Sequence, residues 1–392
     1  MRSYGLGETN SVMNFLSGNF FPMKLNGDIN PVLKYISMCF SWIIMIIYTT
    51  SSIVAVILLP RKIVMQSNTV ALTVDIEAIL IVVYINIRLS FLKRLVNKMQ
   101  EILIENYKME DAISRTLDPI SKPINIYLVC STVSVIVWSG KSILKLFNQE
   151  RFTYTDFVVP GYYPFEPFTK TSFALYTVIS AMGGFYTVVK KSAIDVYVIY
   201  IIAILTSHYK YLKDDLADIL DITETKGGEN PTNHEQEKMV KKRLVVWIRQ
   251  HQAVQEVGRM FRNLVSLNVL LTYVNCSFRF CFLGYMIIKM QLEFFEKLLL
   301  MMYTGGVLIQ LYLLCYCVQE LLDASCSVTS KAFRGQWYTH GTSTKKIFSI
   351  IIMADNIEKR FSAFGTFDLS LSTITQVINN GYSACLFLLN VE

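Results

Sequence analysis

The sequence predicts an all-α membrane protein with seven transmembrane helices. Of its 392 residues, 53% are hydrophobic and 17% are charged, whereas soluble domains carry about 25% charged residues. Several apolar runs approach or exceed the roughly 20 residues that an α-helix needs to cross a bilayer. The basic residues fall in a few loops, so the net charge of +7 reports membrane topology and not nucleic-acid binding.

The fourth span is best explained by one long helix. Lys190, Lys191 and Asp195 interrupt it near its middle, but the apolar part after Asp195 is only about 12 residues long, which is short for a separate crossing. We therefore predict a single helix that continues into the cytoplasm. The seven predicted spans are Val32–Leu59, Ser67–Ile87, Ile124–Phe147, Ser172–Thr206, Leu264–Ile288, Leu298–Gln319 and Ser370–Val391.

Loop charges determine the predicted orientation. The loops after spans two, four and six carry most of the lysine and arginine, which is typical of cytoplasmic loops. The N-terminus is therefore predicted inside the cell and the C-terminus outside, opposite to a G-protein-coupled receptor. The predicted regions are a cytoplasmic N-terminal segment (1–31), a ligand-pocket bundle of spans one to four (32–206) with an extracellular loop (148–171), cytoplasmic helices (207–263), spans five and six (264–319), a cytoplasmic anchor (320–369) and a pore-lining span (370–392).

Three cytoplasmic segments have the spacing of amphipathic helices, namely Phe91–Ile113, Glu237–Phe261 and Thr342–Phe364. Their apolar residues recur every three to four positions, with charged residues between them. An apolar stripe needs a partner, which favours a helical platform beneath the membrane bundle. The alternative is a set of helices on the membrane surface that do not pack on one another. Lys226–Asn233 is predicted to be a turn-rich surface loop.

The last predicted span is unusually polar. On a helix, its Ser372, Gln376, Asn379, Ser383 and Asn390 fall on one stripe. Polar residues at membrane depth usually face a bundle interior or a water-filled cavity, which predicts a helix that lines a pore. Packing of this polar stripe against neighbouring helices explains the pattern equally well.

Aromatic and soft side chains in spans two, three, four and six predict a pocket for a small organic ligand. For each residue the alternative is ordinary core packing or an interfacial aromatic belt. Phe152–Thr171 is expected to fold as a lid, because its prolines are stiff and its aromatic surface is large. The candidate ligand-binding residues are Tyr84, which is near the inner end of its span, and Ser134, Trp138, Tyr176, Met182, Gly183, Phe185 and Tyr303.

The sequence predicts no enzyme, no metal site and no cofactor. It has no glycine-rich phosphate loop, no G-x-S-x-G and no H-E-x-x-H. The four histidines lack ligand spacing, and the eight cysteines are interpreted as small apolar residues of packed helices. Asp75 and Glu77 are two positions apart, so we expect them on different helix faces, near the outer interface.

Four segments, Lys191–Leu216, Ile248–Arg262, Tyr312–Tyr338 and Phe367–Leu389, carry a family resemblance through their order and spacing. Over nearly its whole length the chain resembles the insect odorant receptors. Lys191–Leu216 resembles the fourth helix of that family, and Ile248–Arg262 resembles its H-x-x-(I/V) helix before the fifth span. Tyr312–Tyr338 resembles the sixth-span cysteine that precedes a W-Y pair, and Phe367–Leu389 resembles the terminal Tyr-Ser signature. The family's gustatory relatives usually end in T-Y and, five residues later, Q-F. Gly381 and the Leu388-Leu389 pair depart from that pattern and favour the odorant branch.

The resemblance implies a subunit that determines ligand choice, because the long insertion of the family's co-receptor is absent here. Such subunits form heterotetramers with the co-receptor in the plasma membrane of sensory-neuron dendrites, surrounded by membrane lipid. Four copies of the last helix then line a non-selective cation pore that small volatile organic molecules open. A gustatory-type chemoreceptor channel and a non-conducting receptor that signals through cytoplasmic partners are the alternatives.

The resemblance also implies a position for the gate. Matching Tyr382 to the family's terminal tyrosine places the constriction at Cys385 and Leu389, with Ile378 and Tyr382 continuing that stripe. This stripe lies roughly 125° round the helix from the polar stripe. Glu392 follows the last span, and on the predicted topology its carboxylate would favour cations at the outer mouth of the pore.

Overall fold

Ten α-helices form most of the part of the chain that the computed structural model describes. This part comprises residues 5–22, 31–103, 106–157, 159, 161–164, 166–221, 233–289, 294–335, 337–339, 341–354, 362–363, 367–368 and 370–391. The helices are α1 (Gly5–Ser17), α2 (Pro31–Leu58), α3 (Arg61–Ile87), α4 (Leu89–Glu101), α5 (Tyr107–Asn148), α6 (Lys170–Asp221), α7 (Asn233–Lys289), α8 (Phe294–Arg334), α9 (Thr342–Ala354) and α10 (Leu371–Val391). Two antiparallel strand pairs join β1 (Arg151–Phe152) to β2 (Phe168–Thr169) and β3 (Ser362–Ala363) to β4 (Phe367–Asp368).

Helix α6 is the central element of the fold. It has 52 residues, a length of about 78 Å at 1.5 Å per residue, and it packs against α1, α2, α3, α5, α7 and α8. Nearly every residue from Val189 to Tyr209 is buried. The prediction of one continuous helix through Lys190, Lys191 and Asp195 is confirmed. These charged groups do not break the helix, since each has a polar partner inside the bundle.

Helix α7 joins a predicted cytoplasmic helix to a predicted span. Its 57 residues include both Glu237–Phe261 and Leu264–Ile288 without a break. Helices α5 and α8 likewise continue well beyond the length that a bilayer requires, with 42 and 41 residues. Much of the predicted platform therefore consists of extensions of the membrane helices.

The prediction of one helix over Phe91–Ile113 is wrong, because α4 ends at Glu101 and α5 begins at Tyr107. Asn106 explains the new start. Its side-chain oxygen accepts a 2.8 Å hydrogen bond from the Met109 N–H, which is the usual way to satisfy a free amide at a helix N-terminus.

The ends of the helices that we predict to be cytoplasmic pack on one another. Trp247 of α7 is buried, and its indole N–H donates a 2.9 Å hydrogen bond to the Leu212 carbonyl of α6. The indole also stacks on His251 with 5.0 Å between ring centroids. The ion pairs between these helices include Lys98–Glu256, Lys108–Asp218, Arg115–Asp214 and Arg243–Asp215. This mutual packing supports a platform over separate surface helices.

Part of the predicted platform lies outside the described residues. Helix α9 covers Thr342–Ala354 of the predicted Thr342–Phe364 helix, and residues 355–361 are not described. Most of the predicted loop Lys226–Asn233 also lies outside them, with Asn233 as the first residue of α7.

Four helices of the described part are long and apolar enough to cross a membrane by length and composition. The four segments are Val32–Leu58, Tyr107–Phe147, Glu237–Lys289 and Leu300–Arg334. They include the predicted spans one, three, five and six. The count of seven spans and their orientation stay predictions.

The N-terminal segment forms a helix that packs on the membrane bundle, which the sequence did not predict. Helix α1 lies against α6, and its polar Asn10, Asn14 and Ser17 are buried there. The Lys190 ammonium of α6 donates a 2.7 Å hydrogen bond to the Ser17 carbonyl and lies 5.2 Å from the Trp42 ring centroid. This N-terminal helix therefore satisfies a lysine that would otherwise be alone in the bundle.

Candidate functional site

A cavity of about 140 Å³ lies between α2, α3, α5, α6, α7 and α8, next to the loop that joins α5 to α6. Its walls are mostly apolar, and Phe157 of the loop closes part of one end. Trp138 of α5 and Tyr303 of α8 form an aromatic side, with 6.4 Å between their ring centroids. Leu283 and Met286 bring α7 to the same cavity. A concave apolar space with a few polar groups is typical of a small-molecule site.

Three of the predicted ligand-binding residues, Ser134, Trp138 and Tyr303, line this cavity. Gly183 lies behind it, where a side chain would overlap the ring of the lining residue Tyr48. The other predicted residues lie elsewhere: Tyr176 in the loop's aromatic cluster, Phe185 against the cluster that contains Met13 of α1, and Met182 outside the lining.

Tyr84, another predicted ligand-binding residue, does not line this cavity. Its hydroxyl donates a 3.5 Å hydrogen bond to the Asn263 carbonyl, and Arg88 lies over its ring at 5.0 Å from the centroid. Both contacts hold Tyr84 at the far end of α3 from Val74, which does line the cavity. Its role is to join α3 to α7.

The loop between α5 and α6 is a folded lid, as the sequence predicts. The β1–β2 pair closes its base, where Phe152 stacks on Phe173 of α6 at 4.1 Å between centroids. Tyr163 stacks on Tyr176 of α6 at 4.3 Å, and the Tyr162 N–H donates a 2.9 Å hydrogen bond to the Ser51 carbonyl of α2. The lid is therefore attached to α2 and α6, two walls of the cavity.

Asp156 is the electrostatic anchor of the lid. Partial burial alone would raise the pKa of this carboxyl group. The Thr153 N–H, at 2.8 Å, and the Lys145 ammonium of α5, at 2.9 Å, outweigh that effect and hold the pKa below its usual value. The ionised form of Asp156 therefore ties the lid to α5.

A buried ionic network lies one helical turn below the cavity. Glu77 of α3 is 3.0 Å from the Lys191 ammonium of α6 and 2.7 Å from the Arg279 guanidinium of α7. Lys191 also pairs with Asp195 at 2.9 Å. The two negative and two positive charges balance, which is the condition under which charges are buried.

The network extends to two further helices through Asp195. This carboxylate accepts hydrogen bonds from Tyr127 of α5 at 3.1 Å and from Gln310 of α8 at 2.6 Å. Asn275 and Thr272 of α7 donate to Glu77. Five helices therefore meet at one polar centre beneath the cavity.

Asp75 lies beside the cavity and is bonded to hydroxyl groups. Thr49 of α2 contacts one carboxyl oxygen, and Thr187 of α6, a lining residue, donates a 2.7 Å hydrogen bond to the other. Asp75 and Glu77 thus point to different neighbours, as predicted. Both side chains lie inside the bundle, with 0% and 4% exposure, and their predicted position near the outer interface stays a prediction.

Several lining residues escaped the sequence analysis. Thr177, Ala181, Gly184 and Val188 follow one another at intervals of three or four positions, so they share one face of α6. This row of small residues in a long helix was the available signal, since small residues leave room for a ligand. Leu283 and Met286 gave no such signal, because they resemble ordinary core residues.

The last helix presents its polar stripe away from the rest of the chain. Thr373, Val377, Gly381 and Cys385 form the buried face of α10, which packs on α7. The polar stripe defined above lies on the opposite side, and all five of its residues are exposed.

Cys385, which the resemblance places at the gate, packs against α7 in this structure. Its side chain is 4% exposed and faces Gly284 of α7, where an added Cβ would lie 3.1 Å from the Cys385 sulfur. Ile378 and Tyr382 are 40% and 64% exposed, and Leu389 is half-buried. Their pore roles stay predictions, and Glu392 lies outside the described residues.

The helical bundle, the apolar cavity and the exposed polar face of α10 define a membrane receptor of the small-molecule-binding class. A family model described as 7tm Odorant receptor matches residues 63–382, so the chain belongs to the odorant receptor family. This membership places it among multi-pass membrane receptors and not among enzymes.

Relatives from Drosophila melanogaster support the assignment. The chain is 24% identical to Putative odorant receptor 92a over 189 residues, 48% of this chain and 43% of that protein. It is 21% identical to Odorant receptor 67c over 202 residues, 52% of this chain and 47% of that protein. The matched part thus spans less than half of either relative.

The fold is similar to that of the insect olfactory receptor OR5 from Machilis hrabei, solved alone and in complex with eugenol. The complex has a TM-score of 0.80 at 13% identity and covers 98% of this chain and 97% of that chain. The receptor solved alone has a TM-score of 0.80 at 14% identity, with the same coverage.

Proposed function

We propose that this chain is the ligand-tuning subunit of a ligand-gated, non-selective cation channel that detects small volatile organic molecules. One observation carries the proposal: α7 is shared by the cavity and the last helix. Leu283 and Met286 line the cavity, while the intervening Gly284 and nearby Phe280 contact α10. A molecule that occupies the cavity therefore touches the helix on which α10 rests.

The exposed face of α10 supports a pore between subunits. A row of uncharged polar side chains at membrane depth needs water or a partner, and the described part of this chain covers the other face of the helix. A heterotetramer with the odorant co-receptor, in the dendritic plasma membrane of sensory neurons, would bring four such faces around one axis. Water in that path would satisfy the stripe.

Ligand binding opens the channel if the cavity fits the ligand better in the open arrangement, because a ligand shifts an equilibrium only by its differential affinity for the two states. A related receptor was solved with eugenol, which supports a small organic ligand here. The cavity volume of about 140 Å³ suits a molecule of about one ring, since an engineered cavity of roughly 150 Å³ holds benzene.

Electrophysiology with a matched pair of variants tests the proposal. The chain is expressed with and without the co-receptor, and whole-cell currents are recorded during fast application of odorant panels. Trp138→Ala removes a cavity wall, which costs about 2 kcal/mol of ligand binding and raises the half-maximal concentration about 30-fold. Val137→Ala is the control, since Val137 is 42% exposed on the same helix and should leave the response unchanged. Ligand-stabilised protein that never conducts, with or without the co-receptor, would refute the channel proposal.

Cysteine accessibility tests which face of α10 lines the pore. Asn379→Cys and Ser383→Cys introduce thiols on the exposed polar stripe, and a charged thiol reagent should then block the current. Val377→Cys adds a thiol on the face that is buried against α7, and the wild type already carries the buried Cys385 as an internal control. Block of Val377→Cys but not of Asn379→Cys would reverse the assignment of the faces.

A further inference from the structure

Two hydroxyl groups at the inner end of the cavity, those of Ser134 and Thr187, each have a fixed hydrogen-bond direction. Helix α5 runs toward the lid and α6 runs away from it, so Ser134 and Thr187 are the lining hydroxyls farthest from the lid on these helices. Thr177 is a lining hydroxyl near the lid. The inner and outer ends of the cavity can therefore be considered separately.

Both of these inner hydroxyl groups already donate a hydrogen bond within the protein. The Thr187 hydroxyl donates to Asp75 at 2.7 Å, and the Ser134 hydroxyl donates to the Ser131 carbonyl at 2.8 Å. A hydroxyl group has one proton and two acceptor lone pairs. Each of these side chains therefore has only acceptor capacity left for a ligand.

Asp75 keeps the O–H bond of Thr187 directed at its own carboxyl group. The carboxyl group is 0% exposed, and among the described residues no lysine or arginine pairs with it. Its contacts are Thr187 on one oxygen and Thr49 on the other. A buried acceptor with no cation nearby keeps a donor directed at it, since loss of that bond would leave it unsatisfied.

Thr177 provides the contrast. Its side chain is 4% exposed, and within the described part of the chain its hydroxyl has no hydrogen-bond partner. It is ten residues from Thr187, about 15 Å along α6, so a one-ring ligand does not reach both. Thr177 at the outer end can donate or accept, whereas Ser134 and Thr187 at the inner end only accept.

From this geometry, and on the basis of the function proposed above, we infer that the receptor is tuned to small alcohols and phenols. The hydroxyl group of such a ligand donates a hydrogen bond to the Thr187 or Ser134 oxygen at the inner end of the cavity. An aldehyde, ketone or ester of the same size has no O–H group, so its lone pairs would face the lone pairs of the Ser134 and Thr187 oxygens. Those oxygens would then lack a hydrogen-bond donor. One neutral hydrogen bond changes binding by roughly ten-fold. Asp75 is the specificity-determining residue, because it sets the direction of the Thr187 hydroxyl without touching the ligand.

Two matched probes and four variants test the inference. Cyclohexanol and cyclohexanone are nearly the same size, but cyclohexanol can donate a hydrogen bond and cyclohexanone cannot. Their affinities are measured both from current and from thermal stabilisation of the purified full-length protein. The wild type should prefer cyclohexanol by roughly ten-fold. Thr187→Val should abolish most of that preference, whereas Thr177→Val should leave it intact.

The Asp75 variants separate specificity from folding. In Asp75→Asn the amide oxygen accepts from Thr187 and the amide N–H donates to Thr49, which itself donates to the Met45 carbonyl at 2.8 Å, so the preference should persist. Asp75→Leu removes the acceptor and frees the Thr187 proton, so cyclohexanone should gain affinity. Should Asp75→Leu fail to fold, Thr187→Val alone still decides the question.

The readouts distinguish this inference from the proposed channel function. Equal responses to the two probes, with normal gating, would overturn the alcohol preference and leave the channel proposal standing. Alcohol-selective stabilisation without any current would do the reverse. Tighter binding of cyclohexylamine than of cyclohexanol would also overturn the inference, because it would make Asp75 a counter-ion for an ammonium ligand.

Discussion

Glu77→Gln tests whether the buried charges beneath the cavity act as one balanced unit. The substitution preserves the shape of the side chain but removes one negative charge, so Lys191 and Arg279 share a single remaining carboxylate, Asp195. All four side chains are at most 7% exposed. Breaking a buried ion pair by removing one partner costs about 3–5 kcal/mol, because the other charge is left uncompensated.

The assay compares thermal unfolding of purified wild type, the single variants Glu77→Gln and Arg279→Met, and the double variant Glu77→Gln/Arg279→Met. The double variant restores charge balance and keeps the Lys191–Asp195 pair at 2.9 Å. It should therefore be more stable than Glu77→Gln, giving a coupling energy of opposite sign to the single losses. Asp214→Asn is the control, because its pair with Arg115 is about half exposed and such pairs contribute little. Glu77→Gln at wild-type stability, or losses that simply add in the double variant, would refute the reasoning.

Three further predictions concern the cavity, the lid and the platform. Gly183→Ala should weaken ligand binding in a titration, because the new Cβ would overlap the ring of Tyr48, a residue that lines the cavity. Gly140→Ala is the control, because its Cβ would meet no atom within 4 Å and the ligand affinity should not change. The lid should loosen as the pH falls through the lowered pKa of Asp156. The ionised carboxylate stabilises the lid fully at pH values above 3.8, the ordinary pKa of an aspartate. Limited proteolysis should show this pH dependence in the wild type but not in Asp156→Asn. Trp247→Ala should lower the free energy of unfolding by about 3–5 kcal/mol, and a loss below about 1 kcal/mol, the contribution of one hydrogen bond, would contradict the packing described for that side chain.

Helices were predictable where length and hydropathy carry the information. Val32–Leu59 corresponds to α2, Pro31–Leu58, and the continuity of α6 followed from the shortness of its apolar second half. The break between α4 and α5 was missed, because apolar periodicity continues across it. The Asn106 cap was the only local signal of that break.

The cavity was only partly predictable, since its lining depends on how the helices are rotated against one another. Ser134 and Trp138 are one turn apart on α5 and both reach the cavity. Phe185 has the same chemistry as a lining residue, yet its rotation on α6 turns it toward the cluster that contains Met13. Single-helix patterns contain no information about such rotations.

The same reason explains why the predicted gate includes the buried residue Cys385. Cys385 was assigned by matching one helix to a family signature, without its contact to α7. Gly381 and Cys385 are small residues four positions apart, and small residues at this spacing mark a face where helices approach closely. Gly381 indeed lies against Phe280, where an added Cβ would be 2.6 Å from the Phe280 Cβ. The polar stripe, which needed no family signature, proved to be the exposed face.

On the channel function proposed above, the charge network has a consequence for gating through helix α7. Arg279 lies one turn before Leu283, so the network, the cavity and the Gly284 contact with Cys385 occur within two turns of one helix. Ion pairs of 2.7–3.0 Å do not stretch gradually, because a small separation already leaves buried charges unsatisfied. A ligand that displaces α7 must then move Arg279 and Glu77 together or exchange one set of partners for another. Both routes favour two discrete arrangements over a continuous deformation, and this is the property that a ligand-gated channel requires of the element between its binding site and its pore.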